Sequence, residues 1–74
     1  MSTTGNYLQP LLEPITIEGR IYQSRYAIQR KYYMTKNDIL RNMRYGLPTE
    51  TVNGIIYINE DDFHRYFSGE IGWI

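Results

Sequence analysis

Seventy-four residues allow one domain, and a domain of this size buries only about 60% of its unfolded surface, so a stability of a few kcal/mol is expected. A hydrophobic content of 42% and eleven aromatics, eight of them tyrosine, argue for a folded chain; with no cysteine and one histidine, a disulfide framework, a thiolate zinc site and a His-rich metal site are excluded. Eight basic and eight acidic residues cancel to zero net charge, no apolar run approaches the ~18 residues of a membrane span, and no secretory leader is visible, so an intracellular, cytoplasmic protein is expected.

Met1 to Asn6 is small and polar, and Tyr7 to Pro14 holds two prolines that forbid a helix across them. Residues 1–14 are therefore expected to form a flexible or extended arm, with the domain occupying residues 15–74. Ile15-Thr16-Ile17 alternates with period two before the turn pair Glu18-Gly19, which predicts a short strand. Its partner is open: either Arg20-Ile21-Tyr22 or the far end of the chain. Ser24 is placed to cap a first helix from Arg25 to Tyr32 or Tyr33. Tyr22, Tyr26 and Tyr33 are expected near one helical face. They read either as half-buried core residues or as a stacking platform for single-stranded nucleic acid.

Thr35 and Asp38 have the spacing of a capping box at the start of a second helix. Ile39, Leu40 and Met43 read as its apolar stripe, and Gly46 followed by Pro48 as its stop. At 100° per residue, Asn37, Arg41 and Arg44 fall opposite that stripe. An amide and two guanidiniums are the groups that read purine edges bidentately in a major groove. Lys36, in the first turn, is placed to reach a phosphate.

Asn53-Gly54 between Thr49–Val52 and Ile55–Ile58 is a strong hairpin signal, because both residues tolerate positive φ. Asn59 then caps a third helix whose start carries Glu60, Asp61 and Asp62. Phe63, Tyr66 and Phe67 form its apolar face, and Gly69 ends it. Ile71, Trp73 and Ile74 make an apolar tail expected to dock on the domain or to bind a partner.

Strand, helix, tight turn, helix, hairpin and helix is the order of a small α+β winged helix-turn-helix, with three short helices, a β-hairpin wing and a short N-terminal strand. The run MTKNDILRNMRYGLP followed by VNGIIYINEDDFHRYF resembles the DNA-binding domains of the MerR and phage excisionase superfamily, over about Ser24 to Phe67. The resemblance implies a recognition helix at Lys36–Tyr45 and a wing tip at Asn53-Gly54. It also implies excisionase-like factors, which bend DNA to direct an integrase, and small phage regulators as the functional neighbourhood. The hairpin departs from that pattern in carrying no Arg or Lys near its turn.

The neutral total hides a polarised chain. Seven of the eight basic residues lie between Arg20 and Arg44, opposed only by Asp38, for a local charge of +6, while the segments before and after carry −2 and −4. Such asymmetry suits a polyanionic partner. The leading expectation is sequence-specific double-stranded DNA binding by a nucleoid-associated factor of a phage or other mobile element, excisionase-like or a small transcriptional regulator. Arg25, Arg30, Lys31 and Lys36 would contact phosphates, and Asn37, Arg41 and Arg44 would read bases. One short helix covers few base pairs, so self-association or cooperative assembly on DNA is expected. The alternatives are an adaptor that binds a recombinase or repressor, and a single-strand binder using its tyrosines. An enzyme is not expected: no nucleophile motif or phosphate-cradling loop is visible, Asp62 and His64 do not define an acid–base site, and capping explains Glu60-Asp61-Asp62 without a metal. No cofactor is expected.

Overall fold

The computed structural model describes residues 12–71. The expectations for the arm before Leu12 and for Trp73 and Ile74 lie outside the described residues. Strand β1 (Ile15–Ile17) runs into β2 (Arg20–Ser24) through Glu18 and Gly19, both at positive φ (49° and 81°). The two strands pair antiparallel with Ile15 opposite Tyr22 and Ile17 opposite Arg20. Of the two partners open to β1, the near one is used, since a two-residue turn has the lowest closure cost.

Ser24 ends β2 and caps helix α1 (Arg25–Tyr32), its Oγ accepting from the Ala27 amide at 3.2 Å. Tyr33 closes α1 in the left-handed conformation, φ 56° and ψ 49°. Helix α2 (Lys36–Arg44) follows after Met34 and Thr35; it stops at Tyr45, and Gly46 at φ 109° redirects the chain. Strands β3 (Glu50–Val52) and β4 (Ile55–Ile58) form the expected hairpin about Asn53-Gly54, φ 51° and 78°. Helix α3 (Glu60–Phe67) begins at Asn59, whose Oδ1 accepts from the Asp62 amide while its Nδ2 donates to the Ile21 carbonyl, both at 2.9 Å. One side chain thus starts a helix and ties it to β2.

The described residues form a small α+β fold of three helices and a four-stranded antiparallel sheet in the order β1-β2-β4-β3. The β2–β4 pairing sets Gln23 opposite Ile58 and Ser24 opposite Tyr57, joining the two hairpins into one sheet. The core gathers Ile28 of α1, Ile39 of α2, Leu47, Ile58 of β4, and Phe63 and Tyr66 of α3. Met34, Met43, Ile56 and Ile71 pack at its margin, so the tail is anchored as far as Ile71.

Two sequence expectations need correction. Tyr22, Tyr26 and Tyr33 do not share a face: Tyr22 is buried on β2, and Tyr33 stands 94% exposed at the end of α1. Leu40 is not part of the apolar stripe of α2; only Ile39 is fully buried there, with Met43 beside it. A side chain three residues from Asn37 is about 60° from it on the helix surface, whereas Ile39 is about 160° away. The apolar side of α2 is narrower than the residue types suggest.

Candidate functional site

Helix α2 is held at its start by a reciprocal pair of bonds. Thr35 Oγ1 accepts from the Asp38 amide at 3.1 Å, and Asp38 Oδ2 accepts from the Thr35 amide at 2.9 Å. The other carboxylate oxygen, Oδ1, accepts from Arg41 Nη2 at 2.7 Å. Asp38 therefore caps the helix and restrains an outward-facing guanidinium one turn later. The backbone bond from Thr35 leads the causes that hold its carboxyl below the usual range, with Arg41 adding to it. The opposite side of the helix is pinned by Asn42, which donates to the Asp38 carbonyl at 2.8 Å and accepts from the Tyr66 hydroxyl of α3 at 2.9 Å.

With its inner side fixed, α2 turns Asn37, Leu40, Arg41 and Arg44 outward, at i, i+3, i+4 and i+7. These four side chains line a depression of about 210 Å3. The three residues expected to read bases are thus brought together, with an aliphatic side chain among them that the sequence reading assigned elsewhere. A helical wheel drawn by position rather than by residue type shows it. Lys36 is exposed at the first turn of the same helix.

The four cations assigned to phosphates are spread differently. On α1, the Arg25 guanidinium lies 4.1 Å from the Tyr26 ring centroid and donates to Gln29 Oε1 at 2.6 Å, so its orientation is set by groups that carry no charge. Arg30 is exposed beside a second depression, of about 260 Å3, lined also by Leu12, Tyr26, Gln29 and Met34. Lys31 is engaged across the fold: Nζ meets Glu60 Oε2 at 2.7 Å. Arg20 pairs in the same way with Asp62 at 2.8 Å. Of the seven central cations, Arg20, Lys31 and Arg41 have carboxylate partners; Arg25, Arg30, Lys36 and Arg44 make no ion pair among the described residues. The last two sit on α2 or its first turn.

The hairpin turn residues Asn53 and Gly54 are exposed, and a Cβ at Gly54 would meet nothing within 4 Å. Glycine is favoured there by φ 78°, not by space. Around α3, Tyr32 Oη donates to Glu60 Oε2 at 2.6 Å and contacts His64 Nε2 at 3.1 Å. Asp62 is buried against Arg20. Asp62 and His64 therefore serve separate contacts rather than one acid–base pair. Among the described residues no group of three or more His, Asp or Glu side chains is placed to hold a metal ion, and no helix is long and apolar enough to cross a membrane. Compared with family models, curated proteins and solved structures, the chain matches none.

Proposed function

We propose that this protein is a winged helix-turn-helix factor that binds double-stranded DNA sequence-specifically, with α2 laid in the major groove. One observation carries the reading: a helix anchored by Ile39, Asn42 and a capping box presents Asn37, Arg41 and Arg44 on a single outward face. Guanidiniums pair bidentately with guanine and a carboxamide with adenine. The turn from α1 to α2 gives the helix-turn-helix step, and the β3–β4 hairpin the wing. With no cation near Asn53-Gly54, that wing adds little phosphate attraction, and affinity falls on α1 and α2. Arg25, Arg30 and Lys36 neutralise phosphates directly. Lys31 does so only at the expense of its bond to Glu60. An exposed helix of nine residues reads few base pairs, so useful affinity requires repeated sites or neighbouring copies, as for an excisionase-like factor or a small regulator acting beside a recombinase.

Selection from a random duplex library, followed by binding titrations at two salt concentrations, tests this. Arg44→Ala is expected to lose about 1–3 kcal/mol on the selected site and to relax discrimination at one base pair. Lys36→Ala should weaken selected and scrambled duplexes alike and reduce the salt slope by about 1. Parent-like binding by both variants, or a parent that prefers no duplex sequence, sinks the proposal.

A further inference from the structure

The position of Leu40 has a consequence for which base pairs α2 can read. The residue lies outside the core cluster, half-buried, and lines the outward depression together with Asn37, Arg41 and Arg44. A single exposed leucine elsewhere on a surface means little. Here it stands at one edge of a polar face, about 40° from Arg44 and 60° from Asn37 on the helix surface, with Arg41 on the far side. A base pair read by Arg44 or Asn37 comes close to Leu40, on the same side of the depression.

Resting on the double-stranded DNA reading above, we propose that Leu40 is a specificity-determining residue that packs against the C5-methyl group of a thymine. Of the groups exposed in the major groove, the purine N7 and O6 or N6 atoms, the cytosine amino group and the thymine O4 are polar; the thymine methyl is the apolar one. A polar edge pressed on Leu40 gives up its water without a new partner, which penalises it. A methyl there releases water from two apolar surfaces at once. The same side chain therefore favours one base and disfavours the others. Leu40 and Arg44 are one helical turn apart, about 5–6 Å, and base steps are ~3.4 Å. The thymine then falls within one or two steps of the guanine that Arg44 reads. Charge complementarity is supplied by Arg44 and Lys36, which have no carboxylate partner among the described residues.

The test uses the whole chain and the duplex selected above, with each thymine in turn replaced by deoxyuridine, which removes the methyl and nothing else. One replacement is expected to weaken the parent about fourfold, the worth of one buried methyl-sized group, at a position next to or one step beyond the Arg44-dependent guanine. Leu40→Ala should show the same loss on the thymine duplex and none further on the uracil duplex. If every uracil duplex binds the parent as tightly as its thymine counterpart, or if the loss persists unchanged in Leu40→Ala, the inference is overturned while Arg44-dependent specificity still supports the DNA reading. A parent that prefers no duplex sequence overturns both. The uracil scan needs only the parent chain, so a poorly folded Leu40→Ala protein does not spare the idea.

Discussion

Tyr33 holds φ 56° with its side chain 94% exposed, so no packing offsets the clash between its Cβ and the following carbonyl. An L-residue in this region costs roughly 1–2 kcal/mol, while glycine adopts it freely at a helix C-terminus. Part of that gain is returned through the looser unfolded chain of a glycine variant. Tyr33→Gly is therefore expected to stabilise the domain by about 0.5–1 kcal/mol in urea denaturation; an unchanged or lower midpoint would show that Tyr33 has packing not visible in its exposure. At the same scale, Asn37, Arg41 and Arg44 could be assigned to one face from sequence because helical angle depends on residue number alone. Leu40, apolar by type, lies outside the apolar stripe because its angle sets it about 60° from Asn37 and 100° from Ile39.

Helix α2 as an element depends on its first turn. Thr35 and Asp38 satisfy each other's amides at 3.1 and 2.9 Å. Removing the threonine hydroxyl also loosens Asp38, and with it the Arg41 guanidinium that Asp38 holds at 2.7 Å. Thr35→Ala should cost about 1 kcal/mol of stability. It should also weaken duplex binding, although Thr35 carries no charge; equal stability to the parent would show that the cap contributes nothing. The caps at Ser24, Thr35 and Asn59 were all legible in the sequence, as were the Glu18-Gly19 and Asn53-Gly54 turns. Each is closed by atoms within three residues of one another. The β2–β4 pairing was not legible: Gln23 and Ile58 are distant in sequence, and no local pattern names the partner.

Across the whole molecule, the charge map drawn from the sequence is redistributed by folding. Lys31 and Tyr32 of α1 converge on Glu60 at the start of α3, and Arg20 of β2 reaches Asp62. Part of the central positive segment thus neutralises part of the acidic C-terminal one. The bond from Lys31, followed by that from Tyr32, holds the Glu60 carboxyl below its ordinary value of 4.5, and burial and Glu60 together push the Tyr32 hydroxyl up. A carboxyl depressed in the folded state contributes stability above its unfolded value, and that contribution disappears as pH falls through the folded value. Glu60→Gln should accordingly be less stable than the parent at pH 7, with the gap narrowing once the pH falls below about 4.5. Urea midpoints on either side of that value check this. A gap that stays constant would assign the loss to packing or hydrogen bonding rather than charge.

Chain sequence by itself determined the helices, their caps, both turns and the outward angle of Asn37, Arg41 and Arg44, since these follow from atoms a few bonds apart. Tertiary structure alone decided that Arg20 and Lys31 are held in ion pairs and that the two hairpins share one sheet. Such outcomes depend on contacts between segments 20 or more residues apart, and proximity of that kind exists only after the core of Ile28, Ile39, Ile58, Phe63 and Tyr66 has closed.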